Sequence, residues 1–379
     1  MNGSLQIGRI FGIPVHLHFT FLLVIPLFAW IIGSQIGLTV ELIERFYAIP
    51  IDRTIIEAGY IPYILGALVA LSLFFCVFVH ELAHSLIARA NGIKINSITL
   101  IIFGGVASME ETLPDPKVEL PMALAGPLTS LGLGIISGLL VYVVYVFVDA
   151  SAVAGVLIYG FGYLALLNIL LFGFNLLPAF PMDGGRVLRA WLARRMPLHR
   201  ATRIASDIGK GFAILFGILG LFTFNFILII IAFFIYIGAS QESSMVTTNF
   251  LLKDVHVGEI MSRDVHTVEP TLPLAEVIRL MYTTKHLGFP VVDRGSLIGI
   301  ITLADIHKTS EIDREAMQVR DVMTRDTIIT LPSSASVTEA LKLMTIHTIG
   351  RIPVVENGSV IGIVTRTDIL TVLELKEIN

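Results

Sequence analysis

The sequence predicts a polytopic α-helical membrane protein with about six transmembrane helices and a re-entrant β segment, followed by a smaller α/β module made of two copies of one unit. Two observations predict this. The first is an uneven spread of charge along a 379-residue chain that is 55% apolar, with a mean hydropathy of +0.82. Residues 1–244 hold 26 Asp, Glu, Lys and Arg, whereas the remaining 135 residues hold 30, so the membrane part should end near residue 244. The second is a self-similarity after Lys253 at an offset of about 62 residues. The expected domains are therefore 1–244, embedded in the lipid bilayer, and 250–379, a soluble tail. The net charge of −4 belongs to the tail, because the first part balances 13 basic against 13 acidic residues. With no large basic field, nucleic acid is not expected as a partner. Cys76 is the only cysteine, which excludes an intramolecular disulfide. It stands one turn before His80 but reads as a small apolar filler. Residues 1–11 lack a basic n-region and a small-residue cleavage site, so no cleaved signal peptide is expected.

Runs nearly free of charge lie at about 10–40, 60–79, 120–148, 150–182 and 211–241, against the roughly 20 residues a spanning helix needs. The last run suits one tilted helix or two short ones broken around Gly220 to Asn225. Lys and Arg decide between these, since cytoplasmic loops are enriched in them. Six spans with the N-terminus inside put Arg9, Arg89, Lys94, Lys117, Arg186, Arg189, Arg194, Arg195, Arg200 and Arg203 inside, against Arg45 and Arg53 outside. The expected topology is thus a multi-pass cell-membrane protein with its N-terminus and tail in the cytoplasm. Between the second and third spans, residues 97–106 are β-branched and apolar but too short to cross a bilayer. They read as a re-entrant strand lining a cavity, with an amphipathic surface hairpin as the alternative.

The candidate site begins with His80-Glu81-Leu82-Ala83-His84, at the end of the second apolar run. Histidines at i and i+4 share a helical face, so their ring nitrogens can converge on one cation while Glu81 serves as general base toward a water. Ionisable residues in a membrane segment are costly and are functional candidates by default. Two histidines leave zinc short of the three protein ligands of a catalytic site. Asp183 is the candidate third, in Asn175-x-x-Pro178-x-x-Pro181-x-Asp183-Gly184-Gly185, where prolines and glycines break the helix after an apolar run of about thirty residues. A residue at an ordinary helix end is the bland alternative.

Taken together, His80-Glu81-x-x-His84 and Asn175-x-x-Pro-x-x-Pro-x-Asp183-Gly184 resemble the site-2 protease family of intramembrane zinc metalloproteases. Gly126-Pro127 in the third span and Phe103-Gly104-Gly105 also fit its pattern, and the resemblance covers about residues 1–244. It implies a six-helix core with one zinc per chain bound by His80, His84 and Asp183. It further implies that Glu81 activates water and that Asn175 hydrogen-bonds the scissile carbonyl. Met182 stands where the family often has leucine; His16 and His18 lie outside the motif and read as interfacial or structural. A helical substrate shields its peptide bonds, so it has to be unwound before attack, and the strand at 97–106 could offer an edge for pairing.

In the tail, residues 260–264 recur at 322–326, Phe289-Pro290-Val291-Val292 as Ile352-Pro353-Val354-Val355, and Leu297–Asp305 as Val360–Asp368. This resembles a tandem pair of CBS domains, at about 254–312 and 316–374. In that family a Thr-x-x-Asp contacts an adenine nucleotide, which implies Thr302, Asp305, Thr365 and Asp368 as contacts and ATP, ADP or AMP as ligand. The same residues suit helix capping equally well. Arg366 adds a phosphate-compatible cation to the second copy only. The function expected is an intramembrane zinc endopeptidase cleaving membrane-protein substrates in or near their transmembrane segments. Its CBS pair would serve as nucleotide sensor or homodimerisation element. The rival is a CBS-gated cation transporter or channel using the same His/Glu/Asp cluster, but transport needs polar residues at successive depths and the other spans supply few.

Overall fold

We describe residues 3–101, 104–109, 115–310, 314 and 316–378 of a computed structural model. The chain separates into two compact units, Met1–Ser244 and Met245–Asn379.

In the first unit, β1 (Ser4–Ile10) and β2 (Ile13–His18) form a hairpin before helices α1 (Phe21–Ser34) and α2 (Ile36–Tyr47). Helix α3 (Ile61–Ala90) leads into β3 (Ile95–Ile101) and β4 (Gly104–Met109), and α4 (Pro116–Phe147) and α5 (Ala152–Asn175) follow. The short α6 (Asp183–Leu192) precedes α7 (Leu198–Phe222) and α8 (Phe226–Leu252), and the boundary between the units falls within α8. Among the described residues α3, α4, α5, α7 and α8 are each long and apolar enough to cross a membrane, and α1 with α2 makes a sixth span if that pair, bent by 68°, counts as one. The last apolar run therefore resolves into two helices, α7 and α8, parted at Thr223 to Asn225. Residues 10–18, which hydropathy joins to the first span, fold instead into the β1–β2 hairpin. Pro14 lacks a donor and Gly12, at φ +79°, closes the turn.

The stretch expected to be one strand is two. Strands β3 and β4 pair antiparallel, and β2 pairs parallel to β3, giving a four-stranded sheet in the order β1-β2-β3-β4. Ile102 and Phe103 lie outside the described residues. Ile13, Val15, Ile98 and Leu100 bury one face of this sheet against Phe74 and Phe78 of α3. That packing fixes the sheet beside the helix carrying the histidines. Asp115 caps α4 by accepting from the Lys117 N–H, and Ser151 caps α5 from Ala154. Helix α5 ends at Asn175 because Pro178 and Pro181 cannot continue its ladder, and α6 restarts at Asp183.

The second unit holds α9 (Val257–Ile260), α10 (Leu274–Thr284), β5 (Gly288–Asp293), β6 (Ser296–Thr302) and α11 (Leu303–His307). Its second copy is α12 (Val319–Val322), α13 (Val337–Ile346), β7 (Arg351–Glu356), β8 (Ser359–Thr365) and α14 (Arg366–Ile378). The copies exchange their leading segments. His256 bridges Ser336 and Ser262 bridges Ile363, while Gln318 bridges Pro273 and Thr324 bridges Ile300. Each core is completed accordingly: Leu252, Val255 and Val257 are buried with the second copy's Val337, Met344, Ile352 and Val364, and Val319 and Met323 with the first copy's Leu274, Phe289 and Ile301. Neither copy closes its core alone.

Candidate metal centre

The two histidines occupy successive turns of one face of α3, and both are buried, at 4% and 7% exposure. His80 Nε2 lies 3.1 Å from His84 Nε2, and each lies 3.2 Å from Asp183 Oδ2. The opposite ring nitrogens are held from behind. His84 Nδ1 donates to the Met122 carbonyl at 2.7 Å, and since a carbonyl only accepts, that proton sits on Nδ1 and leaves the Nε2 lone pair facing the centre. His80 Nδ1 meets Ser130 Oγ at 2.9 Å. Asp183 opens α6, where the helix dipole favours a carboxylate.

These residues fit a zinc ion. Neighbouring ligands of a tetrahedral zinc bonded at about 2.0–2.1 Å stand about 3.3 Å apart, close to the spacing found. Two imidazoles and one carboxylate form the donor set, the imidazoles oriented through their second nitrogens as metal-ligating histidines usually are. Among the described residues this is the group of three or more His, Cys, Asp or Glu able to hold a metal ion.

The space around the donors depends on the neighbouring elements. A Cβ on Gly126 of α4 would lie 2.1 Å from His84 Nε2 and 2.5 Å from His80 Nε2, so no side chain can stand there. A Cβ on Gly105 would meet Glu81 Cγ at 2.3 Å, which sets strand β4 directly beside the Glu81 side chain. Glu81 also lies within electrostatic range of His84, His80, Asp183 and Arg186.

Asn175 is the last residue of α5, and its Nδ2 donates to its own helix, at Leu171 O, 3.0 Å away. Cys76 is buried and unbonded to another cysteine, and His18 Nδ1 pairs with Thr20 Oγ1 at 2.9 Å. Motif reading alone does not find Ser130 or Met122. Ser130 had one available signal, as a hydroxyl one turn beyond Gly126 in an apolar span; Met122 contributes only a backbone carbonyl.

In the tail, Asp305 Oδ2 accepts from the Thr302 backbone and hydroxyl at 3.0 and 2.6 Å, and Asp368 Oδ2 from Thr365 at 2.8 Å for both. Both pairs cap the helices that follow β6 and β8. Arg366 donates to the carbonyls of Met344 and Ile349 of its own copy.

Residues 68–149 and 140–218 match peptidase family M50, and residues 257–311 and 319–375 match the CBS domain. A zinc metalloprotease of Methanocaldococcus jannaschii is 36% identical over 381 positions, covering 100% of this chain and 99% of the relative. Rip3 of Mycobacterium tuberculosis, also described as a zinc metalloprotease, is 31% identical over 395 positions, covering 99% of this chain and 94% of its own. A solved structure of a site-2 protease from Methanocaldococcus jannaschii shares 35% identity over 63% of this chain and 95% of that one, with a TM-score of 0.41. End-to-end likeness to zinc metalloproteases favours the peptidase over the transporter. The chain therefore belongs to peptidase family M50, the site-2 protease family of zinc metalloendopeptidases, and carries a C-terminal pair of CBS domains.

Proposed function

We propose that His80, His84 and Asp183 hold one zinc per chain, that Glu81 is the general base and that Asn175 stabilises the oxyanion during cleavage of membrane-protein substrates in or near their transmembrane segments. The observation that carries this reading is the convergence of the three donor atoms within 3.2 Å of one another, with both imidazoles oriented from behind. Bound to these residues, zinc would supply Lewis acidity for attack of a water on the scissile carbonyl. Glu81 takes the proton of that water as it attacks, then delivers it to the leaving amine. Asn175 exchanges its bond to Leu171 for the carbonyl oxygen as negative charge develops there.

Substrate has to reach Glu81 unwound. Strand β3 has partners on both sides, so β4 is the edge on which an extended segment would pair, and Gly105 brings that edge against Glu81. This hairpin is the re-entrant element of the proposal. The membrane protease is assigned residues 1–244 and the tail 250–379, with copies at 254–312 and 316–374. The N-terminus and tail are assigned to the cytoplasm from the ten-to-two excess of basic residues. The CBS pair is assigned an adenine nucleotide, ATP, ADP or AMP, with Thr302, Asp305, Thr365 and Asp368 as contacts. Homodimerisation through the pair is the second role compatible with the fold.

The test is cleavage of a membrane-protein substrate by the purified protein in detergent. Activity should vanish with a chelator, return with zinc and be absent from the His80→Ala,His84→Ala variant. Cleavage that survives both the chelator and the double substitution would sink the assignment.

A further inference from the structure

The third ligand, Asp183, lies on the loop and short helix between α5 and α7, not on a spanning helix, so something has to hold it against α3. Arg189 does this from within α6. Its guanidinium is buried, at 4% exposure, and its Nε and Nη2 both donate to Glu119 Oε1 at the start of α4, the former at 2.8 Å. Its Nη1 donates to Glu242 of α8, and its Cζ stands 4.8 Å from the ring centroid of Phe180, three residues before Asp183. One side chain thus ties both flanks of the ligand to α4 and α8. Glu119 lies one turn before Met122, whose carbonyl orients His84, so the same guanidinium also bears on a histidine ligand.

Helix α8 supplies the other wall. Ile235, Gly238, Ala239 and Glu242 recur at helical spacing along one face of it. Ile235 is buried with Ala179 and Met182, and Ala239 with Phe180. A Cβ on Gly238 would meet Pro181 at 2.8 Å, so α8 approaches within contact of the residue two before Asp183. A charged triad with two members buried and Glu242 partly so is a poor source of net stability, because desolvation offsets the attraction. Its geometry makes more sense as orientation.

We propose that Arg189, clamped by Glu119 and Glu242, is a positioning residue for Asp183, and that the Gly238 face of α8 sets how far the ligand reaches toward His80 and His84. This rests on the zinc site proposed above. A lysine at 189 keeps the charge but cannot bridge two carboxylates with a planar fork, and an alanine at 238 pushes Pro181 away.

The test uses the full chain in detergent and reads metal retention instead of turnover. Zinc release to an excess of a colorimetric chelator should be roughly 10–100-fold faster in Arg189→Lys and Gly238→Ala than in the unaltered protein, as for loss of an outer partner of a metal ligand. Glu242→Gln, which keeps a hydrogen-bond acceptor for Arg189, should show a smaller change. Cobalt substituted for zinc should show an altered visible absorption spectrum in the first two variants, and Arg53→Lys, which alters the remote Arg53–Glu44 pair, should behave as unaltered. Release rates and cobalt spectra identical in Arg189→Lys, Gly238→Ala and Arg53→Lys would overturn the proposal while leaving the zinc site standing. An unaltered protein that retains no more metal than the His80→Ala,His84→Ala variant would overturn the zinc site, and this proposal with it.

Discussion

On the proposed reading, Glu81 serves the chemistry and Gly126 leaves the space that the metal needs. Glu81 has a carboxylate beside the donors but is not one of the three whose atoms converge, so Glu81→Gln should leave zinc content near one per chain and lower cleavage by on the order of 10²–10⁴-fold, the usual weight of a general base. Metal analysis and a cleavage assay on one preparation decide it, and an active Glu81→Gln protein would remove Glu81 from the mechanism. Gly126→Ala reverses the pattern. Its new methyl would sit 2.1 Å from His84 Nε2, far inside any allowed contact, so zinc should be lost while helical circular dichroism is kept. Full zinc occupancy in Gly126→Ala would show that α4 can yield at this point. His80, Glu81, His84 and Asp183 are legible in the sequence because each is an ionisable residue in or beside an apolar run, a placement with a high desolvation cost. Ser130, the Met122 carbonyl and the clamp on Arg189 are not legible. A serine in a span is ordinary, a carbonyl has no sequence signal, and Arg189 and Glu119 look like charges at helix ends until the fold brings them together.

The β3–β4 hairpin is where local pattern and tertiary context part. β-branched and apolar residues predict an extended segment over 97–106, but the division into β3 and β4, with Gly104 at φ +128°, and the pairing with the distant β2 have no such signal. Apolar content alone also draws residues 10–18 into the first span. The local β1–β2 hairpin makes them strands, and the further pairing of Val15–Leu17 with β3, some 80 residues on, has no local signal. The hairpin has a testable consequence. If β4 is the pairing edge, a photo-reactive amino acid at Val106, a residue 45% exposed, should cross-link to a transmembrane substrate trapped on the Glu81→Gln protein. The same probe at Leu5, exposed on the opposite edge strand β1, should not. Equal cross-linking at the two positions would mean that substrate does not use β4.

The whole chain joins a membrane enzyme to a module whose halves complete each other's cores. Because Val255 and Val257 lie in the second copy and Val319 in the first, a ligand that shifts one copy against the other disturbs both cores. Leu252, the last residue of α8, is fully buried in the second copy's core. The tandem repeat was legible because the copies keep their order of elements at nearly constant offset. The exchange was not, since sequence similarity does not say which core a segment enters. The Thr-x-x-Asp pairs are capping boxes here, and a capping role and ribose contact make different demands on the aspartate. Asp368→Asn keeps an oxygen for the cap with a cost of a few tenths to about 1 kcal/mol. It removes the charge that would hold ribose hydroxyls, so charge-assisted bonds weaken. Calorimetric titration of the full chain with ATP, ADP and AMP should therefore show binding that Asp368→Asn or Asp305→Asn weakens, with the melting temperature of the tail lowered by no more than about 5 °C. Nucleotide should also change the cleavage rate, and a bias of about 1–3 kcal/mol between two states suffices for a 5–150-fold response. Absence of binding by all three at millimolar concentration would leave the boxes as caps and the pair as an assembly element. Binding without any change in cleavage would keep the sensor and break its connection to the zinc site.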